Sequence, residues 1–410
     1  MADNKRQHYV PKSTLRYFAS DLGSKHSKPR QIRLVNIARQ KVIPSASLKE
    51  QCYRDYFYGK NLAAEKALGD VEGYFANLVR KMMTTCSIDE RDGWHLTQMV
   101  ALQKARTLRA EEEHNSMIDR IMKLIMYNRI DEKDLRSVKI ELKHASNLNV
   151  ALALAASPLL LDLKRFLVVN ETTTPFVIAD NPVVSTNWFG RKKDPDRMAG
   201  MTRAGLQMCL PLSPKFALLL HDSNVYISDA KNNIIMIRRR EEAAALNELQ
   251  WLNAHKNVYL PPTFSQGDLE DMMAIERPTG PLAGFIRAEN FGDDDSFLVT
   301  DKDEFSAPTE GVKSELVIIS APVLPKDIRL RAVKIRNKPQ YFDDGSAGSF
   351  QRDTVWEEIV FQHVERVMSE EATFSNFMEY VSNHPLEPQI GRWLKRAGRR
   401  VDSQKLREAS

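Results

Sequence analysis

Two short stretches carry the side chains best suited to chemistry. Gln7-His8-Tyr9-Val10-Pro11 sets an imidazole beside a proline, and Asp180-Asn181-Pro182-Val183 does the same with a carboxylate. Histidine titrates near neutral pH, so His8 is a candidate general base or acid. A carboxylate such as Asp180 can orient that imidazole or hold a metal. Arg16 and Arg106 are the candidate anion clamps, because a guanidinium grips phosphate or carboxylate with two parallel hydrogen bonds. Gln7, Lys12, Gln103 and Asn181 are the candidate substrate contacts beside them. A base, an acid and cations together suit phosphodiester hydrolysis.

Each of these residues also has a structural reading. His8 can hold the N-terminal segment against the body of the protein. Asp180 before Asn-Pro is a good turn former, able to accept main-chain N–H groups. Gln103 and Arg106 stand three apart on one helix face, where Arg106 can pair with Glu65 or Glu72. No nuclease-type Asp…Glu-x-Lys pattern follows Asp180. A divalent metal would fit the chemistry, yet no ligand spacing supports one, so no metal ligand and no cofactor is assigned.

Two further features bear on partners. Tyr53, Tyr56, Phe57 and Tyr58 form an aromatic cluster that bases could stack on, or that packs a loop onto a core. The segment from Arg392 to Arg400 is densely basic, and Arg396 and Arg399 are its candidate nucleic-acid contacts. Its alternative is a solvated terminal helix.

Composition narrows the field. The chain has 410 residues, a net charge of +5, 42% hydrophobic and 28% charged residues. That is ordinary for a globular protein and long enough for two or three domains. The charge permits an anionic partner without demanding one. Cys52, Cys86 and Cys209 are too few and too scattered for a disulfide framework, which fits a reducing compartment. No window supplies the ~18 uncharged apolar residues of a membrane helix, and no apolar leader opens the chain. A cytoplasmic protein is the expectation. P-loop, Gly-x-Gly-x-x-Gly, His-Glu-x-x-His and Gly-x-Ser-x-Gly motifs are all missing.

The elements that must position these residues read as α+β. Residues 1–61 form an N-terminal segment, with a short helix after Pro11 and a hairpin turning at Arg39-Gln40. Residues 62–163 are a helical block, with runs over 62–79, 89–128, 131–144 and 147–163. Residues 164–280 are β-rich and mainly antiparallel. There Phe216–Leu220, Val225–Ile227 and Ile234–Ile237 suggest a meander, followed by a closing helix from Glu241 to about His255. Residues 281–410 read as an appended α+β module, with strands near 316–319 and 330–335, helices near 355–368 and 372–381, and the basic tail.

Gln7-His8-Tyr9-Val10-Pro11 with Leu15, Arg16 and Phe18 resembles the opening signature of the Domain of Unknown Function 4238 family. Leu102-Gln103-Lys104-Ala105-Arg106-Thr107 resembles its helical block, and Asp180-Asn181-Pro182-Val183 with Leu210–Pro214 its second block. The resemblance spans roughly residues 5–262. It implies an architecture and candidate residues but no activity. The expectation is therefore a nucleic-acid- or nucleotide-processing, nuclease-like hydrolase, with a defence or toxin role as its context. The alternative is a non-catalytic nucleic-acid or protein binding module in which the His8 and Asp180 motifs are structural.

Overall fold

The computed structural model describes residues 5–19, 30–60, 62–127, 129–143, 145–191, 200–277, 285–290, 298–301, 314–319, 330–343, 350–373 and 376–384. The basic tail, with Arg396 and Arg399, lies outside them. The described residues open with β1 (Arg6–His8), a one-turn helix α1 (Lys12–Leu15) and a 3-10 turn over Arg16–Phe18. Pro11 sits just ahead of α1, where its fixed φ suits helix entry and its missing N–H costs nothing. The expected hairpin forms as β2 (Gln31–Asn36) and β3 (Lys41–Ser47), and β4 (Tyr53–Asp55) follows.

The helical block holds α2 (Leu62–Thr85), α3 (Gly93–Ala105), α4 (Leu108–Met126), α5 (Glu132–Ser137) and α6 (Ala145–Ala156). The run expected over 89–128 is thus two helices. Thr107 is extended and caps α4, its Oγ1 accepting from the Ala110 N–H at 3.2 Å. A capping threonine inside an apolar-periodic stretch outweighs the periodicity.

Next come β5 (Lys164–Asn170), β6 (Ile178–Ala179), β7 (Val184–Thr186), the short α7 (Trp188–Arg191), β8 (Gln207–Pro211) and β9 (Phe216–His221). They are followed by β10 (Tyr226–Ser228), β11 (Ile234–Ile237), α8 (Arg240–Asn253), β12 (Asn257–Leu260) and α9 (Gln266–Met273). β13 (Phe285–Asn290), β14 (Leu298–Asp301) and β15 (Ser314–Ile319) pair antiparallel with one another. The described residues close with β16 (Val333–Ile335), α10 (Thr354–Met368) and α11 (Phe377–Ser382).

Two sheets organise the core. One has the order β11-β5-β9-β8-β7 and is antiparallel except for the β11–β5 pair; the other is β3-β2-β12-β6. Alternation in β5 sends Leu167 and Val169 toward α2 and α3, while Phe166 and Val168 face α8. The first sheet is therefore covered on both faces. The second is covered likewise: Ile32, Leu34, Ile178 and Tyr259 face the N-terminal segment, and Val35, Ala179, Val258 and Leu260 face Trp251, Leu252 and α9.

The expected meander does not form. β9 pairs with β5 and β8, β11 runs parallel to β5, and β10 pairs with β16. The residues described from 330 onward pack against earlier elements. β16 extends β10, Trp356 donates its indole N–H to the Pro158 carbonyl at 3.0 Å, and Arg352 forms a buried ion pair with Asp162. Arg352 also donates to the carbonyls of Leu159 at 2.7 Å and Arg203 at 3.0 Å, so its guanidinium locks three segments together.

Candidate functional site

The first and middle blocks meet through buried polar side chains. Gln7 is fully buried; its amide donates to the Gly59 carbonyl at 3.0 Å and its oxygen accepts from the Tyr58 N–H. Gln103 donates to the Tyr9 carbonyl at 3.0 Å. The guanidinium of Arg106, 2% exposed, donates to the His8 carbonyl at 2.7 Å, the Tyr58 hydroxyl at 3.1 Å and the Glu72 carboxylate. Each of these groups fixes main chain or a neighbouring side chain. The anion clamp expected of Arg106 is already filled by Glu72.

The middle block then reaches the second. The Thr107 hydroxyl donates to Asn181 Oδ1 at 3.0 Å. Arg109 donates to the carbonyl and side-chain oxygen of Asn253, both at 3.1 Å. The Asn253 amide donates to the Asn181 carbonyl at 3.1 Å. Asn253 is the last of three amides spaced three apart on α8. Asn247 bonds the Pro175 carbonyl and the Val177 N–H, and Gln250 bonds the Ala179 N–H and the Pro182 carbonyl, all within 2.9–3.0 Å. Three-residue spacing keeps the amides on one helix face, which reads the extended 175–182 segment along its length.

Asp180 is 2% exposed. Its Oδ1 accepts from the His255 N–H at 2.8 Å, and its Oδ2 from Lys256 at 2.7 Å and Asn257 at 3.1 Å. Burial pushes its carboxyl above the usual carboxylate range, opposed by these three amides. It lies near enough to Tyr9, Cys52 and Tyr259 to add to the upward shift that burial gives each of them. The Cys52 thiol sits 3.1 Å from the Tyr259 hydroxyl.

His8 meets different neighbours. Its ring is half-buried, and its Nε2 has no hydrogen-bond partner among the described residues. Burial, then the charges of Lys12 and Arg106, lower its pKa to about 4. The charged groups acting on the imidazole are thus cations, and no hydrogen bond joins it to Asp180. Lys12 is exposed, and Arg16 is half-buried with its Nε unpartnered among the described residues. So the structure gathers Gln7, His8, Gln103 and Arg106 at one seam. Asp180 and Asn181 sit at the next, beyond Thr107.

A cleft of about 60 Å³ opens beside the seam, lined among others by Pro11, Tyr17, Glu72, Gln103, Arg106 and Pro211. That is room for about two waters, far below the ~300 Å³ at which small-molecule sites begin. Sequence reasoning missed Thr107, Arg109, Asn247 and Gln250. The repeat of amides at 247, 250 and 253 on a predicted helix was the available signal.

A family described as a protein of unknown function (DUF4238) matches residues 6–263. This chain belongs to that family. No curated protein and no solved structure matches the chain. No helix among the described residues is long and apolar enough to cross a membrane.

Proposed function

We propose that this protein acts by binding rather than catalysis, and that the ribbon of β1 and β4 is its nucleic-acid-binding surface. What supports binding over catalysis is the use of Asp180, whose two oxygens are both taken by main-chain amides. An imidazole with a pKa near 4 is also a weak base at neutral pH.

The observation that carries the surface is the outer face of the ribbon. Over residues 5–12 and 49–60 there are six lysines and arginines against two acids. Lys5, Arg6, Lys12, Lys49, Arg54 and Lys60 are all exposed. Tyr56, 38% exposed, lies between Lys5 at 5.9 Å and Lys60 at 5.8 Å from its ring centre. Arg6 lies over the Tyr53 ring at 5.1 Å. Rings interleaved with cations are what a single-stranded nucleic acid needs, bases stacking and phosphates pairing. Lys5 and Arg6 also pair with Asp55 and Glu50, acids that a phosphate would displace.

The buried residues then acquire a purpose. Gln7 and Arg106 hold the ribbon from inside, and Ser146 and Asn147 of α6 bond the Phe57 and Tyr58 carbonyls at 2.7 and 3.1 Å. A surface fixed in advance loses less entropy on binding. The test is fluorescence anisotropy of the full chain with single-stranded RNA and DNA across a salt series. Affinity is expected to fall by ~0.7 log unit per log unit of salt for each phosphate contacted. Tyr56→Ala should weaken binding by ~1–3 kcal/mol, and Lys60→Glu should flatten the salt slope. No binding at low salt, or binding untouched by both variants, overturns the proposal.

A further inference from the structure

Residues 138–142, Val-Lys-Ile-Glu-Leu, leave α5 as a stretch outside any helix or strand, laid along α4. Val138 is extended, at φ −107° and ψ 152°. The Ile140 N–H donates to Asp119 Oδ1 at 2.7 Å, and the Leu142 N–H to Asn115 Oδ1 at 3.1 Å. Those acceptors stand four residues apart on α4, about 6 Å along its axis, and two extended residues advance about 6.7 Å. The stretch therefore runs straight and antiparallel to the helix, with every second main-chain unit turned to it. The main chains of Lys139 and Glu141 face the other way, and their N–H and C=O groups have no partner among the described residues. That is a free strand edge. The side chains alternate too. Lys139 and Glu141 share one exposed face, paired with each other at 2.5 Å. Val138, Ile140 and Leu142 share the opposite face, with Val138 49% and Leu142 38% exposed.

We propose that this edge pairs antiparallel with the same edge of a second copy of the chain, about a two-fold axis at Ile140. The five residues are complementary to their own reverse. With Ile140 opposite the partner's Ile140, Lys139 stands opposite the partner's Glu141, and Glu141 opposite the partner's Lys139. Val138 meets the partner's Leu142. Opposite charges directly across a ladder attract, and like charges repel. The bonding agrees with the charges. In an antiparallel ladder, opposed residues alternate between pairs that exchange two hydrogen bonds and pairs that exchange none. Lys139 and Glu141, which would be opposed, are the two with free main chains. Ile140, which would meet itself, has its N–H spent on Asp119. A slip of one residue loses both matches, and a slip of two sets like charges face to face. The pairing is isologous, so it closes at two subunits.

The experiment is sedimentation equilibrium of the full chain over about 1–200 µM, where so short a ladder is expected to give a reversible dimer. Lys139→Glu and Glu141→Lys each place like charges opposite one another, so each should weaken the dimer about tenfold or more. Mixed together, the two variants regain opposite charges at both positions, and a heterodimer of wild-type affinity should form. Both side chains are exposed, so the melting temperatures should hold. Hydrogen exchange gives a second measurement on the unaltered chain, in case a charge reversal unfolds it. The Lys139 and Glu141 amides should exchange more slowly as protein concentration rises. A monomer across the whole range overturns the proposal. So does a dimer that neither variant weakens, a mixture that fails to pair, or exchange at those amides that ignores concentration.

Discussion

The N-terminal seam and the α10–α11 pair both carry a histidine among charged side chains, and they hold their side chains in different ways. At the seam, Gln7, Gln103, Arg106, Asn181 and Asp180 spend their polar atoms on main chain or on one another. Between α10 and α11, His363 is as deeply buried, but it is held by its ring, edge-on to Phe377 and tilted against Tyr380. Polar bonding fixes the first region and ring packing the second, although at the seam the His8 Nε2 is left without a partner among the described residues. Chemistry available to a ligand is judged by what a side chain has left over, and only packing reveals that.

The sharpest test of this contrast is Asp180→Ala. It strips the acceptor from three partly buried amides, each worth ~1 kcal/mol when orphaned, so a loss of about 3 kcal/mol in urea unfolding is expected. A shift no larger than that of His363→Phe breaks the comparison. Arg106→Met comes next. It leaves Glu72 without its partner, but Glu72 keeps 27% of its side-chain exposure. The cost should be ~2–3 kcal/mol, below the ~3–5 of a fully buried pair. Gln250→Leu removes the bonds to Ala179 and Pro182 and should cost ~2 kcal/mol, again read by urea.

Acid provides a milder probe. His8 has a folded pKa near 4 and His221 near 3, both below the usual histidine value because burial disfavours the charged ring. The unfolded chain therefore binds more protons as pH falls. The stability these rings confer is complete above ~6.5 and is lost as pH drops toward their folded values. Melting temperature should decline across that window, and His221→Phe, packed between Phe166 and Tyr226, should flatten the decline. The smallest effect belongs to the surface. Tyr56→Ala should change stability by no more than ~0.5 kcal/mol, which separates a binding residue from a folding one.

Local chemistry was readable in advance. Pro11 before α1, the turn at Arg39-Gln40 and the periodicity of α2, α8 and α10 follow from spacing and turn residues. Arg106 was legible as a partner of Glu72 because both positions fell on predicted helix faces. What stayed hidden was pairing across distance. β9, β10 and β11 look like a meander, but their partners are β5, β8 and β16, and short β-rich runs do not encode which edge they join. β7 and β8 were missed because Val184–Thr186 and Gln207–Pro211 are short and carry no period-2 alternation; both are buried on both faces. The reversal at the site has the same cause. Asp180 reads as a displayed carboxylate until residues 255–257 fold over it.

The pairing of β2 with β12 also sets a timetable. Asn36 and Asn257, which bond through their side-chain amides, are 221 residues apart. A ribosome adding about 5–20 residues per second separates their emergence by roughly 10–45 s. Over that interval the β2–β3 hairpin is complete while the edge that β12 will cover is bare, and it displays unpaired N–H and C=O groups to solvent. Nascent chains of this protein are therefore expected to engage holdase chaperones through β2 until residue 260 clears the exit tunnel.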